Sequence, residues 1–413
     1  TMAQPQPIRA ALAAFLGTAI EWYDYYIYGT AAALVFGEVF FATNDPFMGV
    51  LASLATFAVG FVARPFGALV FGHLGDKVGR KKSLVITLVL MGSATTAIGL
   101  LPSFHSIGVT ATILLVILRL AQGVAVGGEW GGAVLIATEH APEKWRTFLA
   151  AAPQYGSPVG LILSTLAFRA VSSLPQEDFA AWGWRIPFLL SIALTFLGWW
   201  IRTGVEESPV VEEMREVGAR NPVGSLFRNH AGLVLAAALI FAANGTVGYM
   251  TTGGYIQNYV TDPDGLAVER GDILWAVTAS AAVWLCTTAF AGWVSDYIGR
   301  RRTLVIGFIV QAAGVAALFP LVNTGSVATI TAALIFLTVG LGLTYGEIGA
   351  FYAELFPASV RASGASISYA LGAILGGAFA PTIAAALVQA TGTTAAVTWY
   401  LAGMTALGLI ATL

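Results

Sequence analysis

The stretch GHLGDKVGRKK, Gly72–Lys82, places one aspartate and four cations between two long apolar runs. A second copy, GWVSDYIGRRR, Gly292–Arg302, lies half a chain later in the same setting. Both copies follow the pattern G-x-x-x-D-x-x-G-[RK]-[RK]-[RK]. One such cluster could be an ordinary surface loop, but two copies indicate duplication of a long hydrophobic unit.

The composition excludes a soluble protein. Hydrophobic residues make up 57% of the 413 residues and charged residues only 10%, whereas a soluble domain carries about 25% charge. The net charge of −2 excludes the basic excess that nucleic-acid binding needs. The sequence therefore predicts an integral membrane protein whose surroundings are the lipid bilayer.

Twelve apolar runs are long enough to cross a membrane, since a bilayer core needs roughly 20 apolar residues per helix. The joins are short except residues 203–230, which hold five glutamates and three arginines. This segment predicts a cytoplasmic linker between an N-terminal six-helix bundle, residues 1–202, and a C-terminal six-helix bundle, residues 231–413. The predicted spans are 11–36, 50–72, 83–102, 109–138, 147–171, 182–202, 231–259, 271–293, 303–322, 327–353, 362–389 and 394–413.

Lysine and arginine residues set the predicted orientation, because cytoplasmic loops are enriched in them. With both termini in the cytoplasm, fifteen of the twenty Lys and Arg residues fall at inner loops and helix ends, Arg202 among them. Arg64 and Arg119 are the two cations left inside the membrane. Both termini are therefore expected to be cytoplasmic.

The two halves share a second motif, E-x-x-P-x-x-x-R, at the end of the fourth predicted helix of each half. Its copies are EHAPEKWR, Glu139–Arg146, and ELFPASVR, Glu354–Arg361. Two six-helix halves related by an axis along the membrane normal are the architecture of major facilitator transporters.

Over its whole length the chain resembles the major facilitator superfamily, through the paired glycine loops and the run RLAQGVAVG, Arg119–Gly127. Three further stretches are similar to the bacterial metabolite:proton symporter family, which includes carriers for shikimate, 2-oxoglutarate, citrate, and proline or betaine. The resemblance implies an all-α integral membrane protein with twelve transmembrane helices, acting as a monomer in the bacterial cytoplasmic membrane. The stretches are Glu21–Phe36, Ala63–Lys82 and Gly127–Glu139.

Ionisable groups inside a bilayer cost about 2.5–3.5 kcal/mol each, so each one is a functional candidate. Glu21 and Asp24 are three residues apart and share a helix face. Two close carboxylates in a low dielectric cannot both ionise cheaply, so one of them, Asp24 in preference, is expected to carry a coupling proton. The alternative is a structural partner for an arginine.

Arg119 cannot shed its charge and needs an acid, a backbone carbonyl or an anionic substrate. In the superfamily that the chain resembles, this arginine serves proton coupling or substrate contact. We expect a pair between Arg119 and a carboxylate of the first helix, with a permanent structural ion pair as the alternative. Glu129 is either a second proton site or a partner of a neighbouring helix near the inner gate.

Substrate contacts are expected from buried polar and aromatic groups of both halves. Arg64 precedes Pro65, a predicted kink, and its guanidinium fork matches a carboxylate; the alternative is snorkelling or pairing toward the cytoplasmic end. The predicted substrate-binding residues are Arg64, Arg119, Tyr28, Gln122, Gln154, Asn244, Tyr249 and Tyr369.

Both glycine loops are expected to help close the cytoplasmic gate. Because helix N-termini attract carboxylates, Asp76 would face the eleventh helix and Arg361. Asp296 would face the fifth helix and Arg146. Positive-inside anchoring alone is the alternative for the cations of these loops.

The loop arginines are expected to pair with the glutamates of the E-x-x-P-x-x-x-R motifs, Arg80 with Glu139 and Arg300 with Glu354. Glu347 is either another gate residue or a proton site. The predicted gate residues are Gly72, Asp76, Arg80, Glu139, Arg146, Asp296, Arg300, Glu347, Glu354 and Arg361.

No histidines are paired at metal-ligand spacing, and neither a nucleotide-binding loop nor a nucleophile–base grouping is present. The sequence therefore predicts no metal, no cofactor and no enzyme. It predicts a symporter that uses protons to import a small organic acid, shikimate-like or dicarboxylate, or a zwitterion, by alternating access. The alternatives are a sodium-coupled or uncoupled carrier of the same fold and a transporter-like sensor.

Overall fold

The computed structural model describes residues 7–41, 46–140, 152–204, 230–252, 254–356 and 361–412. Within these ranges the side chains of residues 7, 46, 72–73, 75–78, 80, 130–140, 250–252, 350, 353, 361–366 and 378 are not described. The described chain is built from helices joined by short turns.

Twelve long helices, α1 to α12, follow one another in the described ranges, some of them in two or more segments. In the first half they are α1 Pro7–Leu34, α2 Pro46–Val62 with Arg64–Val78, α3 Arg80–Leu100, α4 Val109–His140, α5 Ala152–Ser172 and α6 Gln176–Thr203. In the second half they are α7 Ala231–Thr252 with Tyr255–Thr261, α8 Arg270–Ile298, α9 Arg300–Val322, α10 Val327–Tyr345 with Ile348–Leu355, α11 Arg361–Gly372 with Ala373–Ala378 and Ala380–Thr391, and α12 Ala395–Thr412.

Ten helices of the described ranges are long and apolar enough to cross a membrane. The long helices that fall short of that criterion are α1 and α5, which pack against each other. Every residue of α1 from Gly17 to Ala33 is buried within the protein. A helix that is enclosed by other helices does not need an apolar surface toward lipid, so α1 tolerates carboxylates and tyrosines.

Each glycine loop is much shorter than predicted. One residue, Gly79, separates α2 from α3, and one residue, Gly299, separates α8 from α9. Gly79 has φ 110° and ψ 157°, and Gly299 has φ 97° and ψ 147°. Only glycine adopts this region without strain, so the repeated glycine of the two copies is explained by a repeated backbone conformation.

Two of the interrupted helices, α2 and α7, break beside a proline or at a glycine. The α2 helix breaks at Ala63, just before Pro65, because proline lacks a donor and its ring crowds the preceding turn; this kink was predicted. The two segments of α7 meet at Gly254, whose φ of 86° lies in the left-handed region. Gly254 also sits where a side chain would collide with Gly29 of α1.

We call α1 to α6 the N-terminal bundle and α7 to α12 the C-terminal bundle. The two bundles meet where α5 packs on α8 and where α2 packs on α11. We call the end of the molecule that carries Gly79 and Gly299 the motif end. The other end, with the turns at Pro175 and Gly265, is the opposite end. The division at residues 203–230 falls mostly outside the described ranges and stays a prediction.

Candidate substrate and proton site

A small cavity lies between the two bundles. Its volume is about 20 Å³, which is room for about one water molecule. Three predicted substrate residues, Asn244, Tyr249 and Tyr369, lie in its wall together with Tyr26 and Ser157 of the N-terminal bundle. A metabolite does not fit this space, so the bundles must separate before a substrate can enter.

Hydroxyl groups cross the cavity from one bundle to the other. The hydroxyl oxygens of Ser157 and Tyr345 are 3.1 Å apart, and those of Tyr345 and Tyr369 are 3.5 Å apart. Phe241 stacks on Tyr369 with 4.1 Å between the ring centroids. The wall therefore presents hydrogen-bonding groups and flat apolar faces together, as small-molecule sites do.

Arg64 is fully buried at the start of the second segment of α2. Its guanidinium carbon lies 4.2 Å from the ring centroid of Phe61 and 5.0 Å from those of Trp22 and Tyr25. None of its three side-chain nitrogens makes a hydrogen bond of normal geometry with a described residue, and the hydroxyl of Tyr249 lies near enough to interact with it. Tyr249 of the cavity wall packs edge-to-face on Phe61 at 4.8 Å, so Arg64 and its aromatic cage adjoin the cavity.

The prediction that Arg119 pairs with a carboxylate of the first helix is wrong. Arg119 donates to the backbone carbonyl oxygen of Phe57 at 2.7 Å and to Gln122 Oε1 at 3.2 Å. Its guanidinium lies over the rings of Tyr25 and Tyr28, at 3.9 and 4.3 Å from their centroids. Carbonyl oxygens and ring faces therefore replace the expected anion as its partners.

Asp24 points away from Arg119, toward α6. Successive helix residues project about 100° apart, so Tyr25 faces Arg119 while Asp24 faces Ser191. The hydroxyl of Ser191 donates to Asp24 Oδ1 at 2.6 Å, and Oδ2 has no hydrogen-bond partner in the described part of the chain. Asp24 is fully buried and forms no ion pair with a described side chain.

Glu21 and Glu129 meet at one cation, Arg202, near the end of α6. Arg202 Nη1 lies 3.5 Å from Glu21 Oε1 and 3.1 Å from Glu129 Oε2, and Nη2 bonds to Glu129 Oε1. The hydroxyls of Thr18 and Thr87 donate to Glu129 at 3.0 and 3.1 Å. All three charged side chains are buried. Two roles were expected for Glu129, and the structure shows one of them, the pairing with a neighbouring helix, which is α6.

Five of the eight predicted substrate residues do not line the cavity. They are Arg64 and Arg119, described above, and Tyr28, Gln122 and Gln154. The hydroxyl of Tyr28 donates to Thr56 Oγ1 at 2.6 Å, and Gln122 donates to a threonine of α3 at 2.9 Å. Both are therefore engaged inside the N-terminal bundle. Gln154 is buried against Gly349 of α10, where the bundles touch on the motif side of the cavity.

At the motif end, Arg300 joins two acids of the C-terminal bundle. Its Nη1 lies 2.7 Å from Asp296 Oδ1, and its Nη2 lies 3.3 Å from Glu354 Oε1. The pair between Arg300 and Glu354 is thus present as predicted. Asp296 lies near Tyr155 of α5, but its expected partner Arg146 lies outside the described residues, so the pairing of Asp296 across the interface stays a prediction.

Glu347 lies in the break of α10, fully buried, and neither carboxylate oxygen has a hydrogen-bond partner among the described residues. It forms no ion pair with a described side chain, unlike Glu354. The rest of the predicted gate stays a prediction because its side chains are not described. These residues are Gly72, Asp76, Arg80, Glu139 and Arg361, in addition to Arg146.

The opposite end is closed by contacts between α5 and α8. Arg270, the first residue of α8, donates from Nε to the backbone carbonyl oxygen of Ser172 at 3.0 Å. Further along these helices the hydroxyl oxygens of Thr165 and Thr278 are 2.7 Å apart. These contacts therefore hold the two bundles together on this side of the cavity.

Sequence reasoning missed several residues that the structure brings together. Tyr26, Ser157 and Tyr345 line the cavity, and Arg202 joins the two glutamates inside the N-terminal bundle although it was counted with the inner cations. Helical periodicity could have pointed to Tyr26, because residues four apart share a face of a helix and Tyr26 lies four residues after Trp22. In the structure the two rings stack on each other. The inward position of Arg202 left no signal in the sequence.

Comparison with known proteins identifies the family. The sequence model of the Major Facilitator Superfamily matches residues 14–367 and 263–413. The inner membrane metabolite transport protein YhjE of Escherichia coli is 42% identical, over 98% of this chain and 93% of its own length. The shikimate transporter of Escherichia coli is 39% identical, over 94% and 89% of the two chains. The proline/betaine transporter of Salmonella typhimurium is 33% identical, over 97% and 82%.

Solved structures agree on the fold. The crystal structure of a D-xylose-proton symporter superposes with a TM-score of 0.77, over 98% of this chain and 97% of that chain, at 18% identity. This likeness concerns the all-helical architecture. It supports the expected all-helical fold, while the sequence relatives are transporters rather than enzymes. The chain therefore belongs to the major facilitator superfamily and is a multi-pass membrane transporter.

Proposed function

We propose that this transporter is a proton-coupled symporter that imports a small hydroxylated organic acid of the shikimate type. The observation that carries the proposal is Arg64, a buried guanidinium beside the interface cavity whose nitrogens make no hydrogen bond of normal geometry with a described residue. A carboxylate matches the guanidinium fork. The relationship to a shikimate transporter supports the same substrate class.

The cavity wall suits the rest of such a substrate. Tyr345, Tyr369 and Ser157 bring hydroxyl groups, and Asn244 brings an amide whose nitrogen donates to Thr344 Oγ1 at 2.6 Å. These groups can hydrogen-bond the hydroxyls of a ring acid, while the ring of Phe241 packs on its apolar face. A substrate without hydroxyls would leave buried polar groups unpaired, which selects against it.

Asp24 carries the coupling proton in this proposal. It is buried with one hydroxyl donor and no cation partner among the described side chains, so ionising it in place would be costly. The protonated form is therefore the resting form in the closed state. Arg119, whose partners are carbonyls and rings, holds α2 and α4 together near the site rather than exchanging partners with Asp24.

The motif end faces the cytoplasm, with both termini on that side, and residues 203–230 link the bundles there. The excess of cations at that end supports this orientation. The protein acts as a monomer in the bacterial inner membrane, the location that the name of its Escherichia coli relative states for that protein. Protons and the organic acid enter when the opposite end opens and leave when the motif end opens.

Reconstitution into proteoliposomes tests this function. Thermal-shift screening of the purified protein against shikimate, 2-oxoglutarate, citrate, proline and betaine identifies the ligand, and uptake of that ligand is then measured with an inward proton gradient. We expect shikimate to stabilise the protein, and the gradient to drive its accumulation until a protonophore collapses it. Uptake that ignores the proton gradient would refute symport and favour a sodium-coupled or uncoupled carrier; binding without transport would favour a sensor.

A zwitterion such as proline or betaine is the second candidate. The proline/betaine transporter of Salmonella typhimurium is 33% identical over nearly the whole chain, and a quaternary ammonium group binds well among aromatic rings. Tyr249 and Trp284 of the cavity wall could supply such rings. Stabilisation by betaine and not by shikimate would decide for this candidate.

A further inference from the structure

The cluster of Glu21, Glu129 and Arg202 contains two carboxylates and one guanidinium. All three side chains are 3% exposed or less. If both carboxylates were ionised, the cluster would hold one net negative charge in a medium that stabilises charge poorly. Binding of one proton makes the cluster neutral without moving any helix.

The hydrogen bonds show which carboxylate holds the proton. Glu129 accepts from both terminal nitrogens of Arg202 and from the hydroxyls of Thr18 and Thr87. Glu21 lies 3.5 Å from Arg202, and neither of its oxygens makes a hydrogen bond of normal geometry with a described residue. Donors stabilise the ionised form of a carboxyl group, so Glu129 is the anion and Glu21 the acid.

Arg202 is held in a fixed place as the shared cation. Its Nη1 donates to the backbone carbonyl oxygen of Leu84 at 2.8 Å. Its guanidinium rests on Gly17, where an added Cβ would lie 2.1 Å from Nε. Gly17 has no side chain, so the guanidinium of Arg202 can reach the interior of the bundle. It cannot turn away from both glutamates without losing its contacts with Leu84 and Gly17.

The surroundings of Glu21 contain few other charges. Glu129 from α4, Arg202 from α6 and the hydroxyl of Thr87 from α3 are the groups that act on it among the described side chains. Asp24 lies three residues further along α1, which places the two Cβ atoms about 5–6 Å apart on one face. The two carboxyl groups therefore form a series inside the N-terminal bundle, with Glu21 nearer the motif end.

We propose that Glu21, Glu129 and Arg202 form a second proton site, which binds one proton on Glu21 and passes it between Asp24 and the motif end. The transfer begins when Glu21 releases its proton at the motif end and becomes a carboxylate. The carboxylic acid of Asp24 then becomes a carboxylate, and the carboxylate of Glu21 becomes an acid again. The transport role rests on the proposed symport, whereas the protonation of Glu21 does not.

Infrared spectroscopy of the purified protein in lipid tests the protonation directly. Protonated carboxylic acids give a carbonyl stretch that carboxylates lack, and ¹³C-glutamate labelling separates the glutamates from Asp24. Glu347, another buried glutamate, is replaced by glutamine in every sample so that it does not contribute. The pH is varied so that the change in the glutamic-acid band is followed.

The number of carboxylates relative to cations determines the expected band. In the Glu347→Gln background we expect the band, and Glu21→Gln removes it because one carboxylate and one cation remain. Glu129→Gln removes it too, since Glu21 then pairs with Arg202 as an anion. Arg202→Gln strengthens the band, and the double variant Glu21→Gln with Arg202→Gln restores it.

Two results would overturn the site. Either the band persists unchanged in Glu21→Gln, or Arg202→Gln gives no increase while the double variant shows no band. The double variant keeps the test decisive if Arg202→Gln alone folds poorly, because it buries no uncompensated pair of acids. Gly17→Ala, which pushes the guanidinium away, should reproduce the stronger band of Arg202→Gln.

Transport measurements test the path separately. In proteoliposomes Glu21→Gln should lose proton-driven accumulation but keep substrate exchange across the membrane, as exchange needs no net proton release. Wild-type accumulation by Glu21→Gln would overturn the path. If the unaltered protein shows no proton coupling at all, the proposed function fails, and the infrared result still decides whether Glu21 holds a proton.

Discussion

The hydroxyl of Ser191 donates a hydrogen bond of 2.6 Å to Asp24 Oδ1, which joins α6 to α1 in the buried interior of the N-terminal bundle. The helical phase of α1 points Asp24 away from Arg119, and this bond holds the carboxyl group in that direction. The proton chemistry of Asp24 is therefore separated from the wall that receives substrate, and coupling between them must act through the position of α1.

Replacing Asp24 by asparagine should uncouple transport. Asparagine resembles the neutral acid in shape but cannot release a proton, so we expect proton-driven accumulation in proteoliposomes to fall to the level of empty liposomes while exchange of labelled substrate continues. Ser191→Ala is the matched control, because it removes the donor and keeps the carboxyl group; it should remain coupled. Accumulation by Asp24→Asn at the wild-type rate would remove Asp24 from the proton path.

Replacing Arg64 should weaken substrate binding. A hydrogen bond to a charged group contributes about 1.5–3 kcal/mol, so Arg64→Ala should raise the Kd about 10- to 100-fold, as measured by calorimetry with the ligand from the thermal-shift screen. Arg64→Lys keeps the charge but loses the planar fork and should be intermediate. Arg301→Lys makes the same change at an exposed position of α9 and should bind normally; equal effects at both positions would contradict a role of Arg64 at the site.

Cross-linking α5 to α8 should stop transport by holding the opposite end closed. The hydroxyl oxygens of Thr165 and Thr278 are 2.7 Å apart, so a cysteine at each position should form a disulfide under oxidation. Cys286, the single native cysteine, is first replaced by serine. We expect uptake to cease on oxidation and to return on reduction, whereas Thr165→Cys alone should respond to neither treatment.

Full uptake by the oxidised double variant, with cross-linking complete on a denaturing gel, would show that the two helices need not separate at this point. Arg270→Gln tests the opposite effect, because it removes a contact between the bundles, the one with Ser172. It should favour opening at the opposite end, seen as faster labelling of a cysteine placed at Ser157 in the cavity wall.

The joint at Gly299 should be intolerant of alanine for a conformational reason alone. An added Cβ there would meet no atom within 4 Å, yet φ is 97°, a backbone region that costs other residues about 1–3 kcal/mol. Gly299→Ala should therefore lower the midpoint of thermal unfolding. Gly403→Ala, in α12, also meets no atom within 4 Å but has no such φ, and it should be neutral or stabilising because alanine favours a helix by about 0.5–1 kcal/mol. Similar shifts in both variants would exclude the backbone explanation.

The membrane helices were predictable because their signal is local. An apolar run must be long enough to cross a bilayer wherever it occurs, and the copies at Gly72 and Gly292 mark the duplication without reference to the fold. The boundaries were less accurate, since the polar residues on either side of Gly79 continue the helices. A membrane helix can continue past the apolar core of the bilayer, so hydrophobic composition does not show where its last turn ends.

The site was predictable in its residue types and less so in its contacts. The cavity wall contains Asn244, Tyr249 and Tyr369. Polar and aromatic side chains of membrane helices tend to face a cavity or a polar partner, because contact with lipid leaves their polar groups without hydrogen bonds. Tyr28 and Gln122 also avoid contact with lipid, but their polar partners are threonines within the N-terminal bundle. The rotation of each helix about its own axis separates these two outcomes, and it is set by packing.

The sequence by itself determined that this chain is a duplicated membrane transporter built from long apolar helices, with buried charges in its first half. Only the tertiary structure decided which charges meet. Arg119 contacts carbonyl oxygens and aromatic rings, Arg202 joins Glu21 and Glu129, and Arg64 lies in an aromatic cage. Charge and hydropathy act along the chain and leave a linear pattern, whereas a buried ion pair depends on residues far apart whose helices pack at one particular angle and depth.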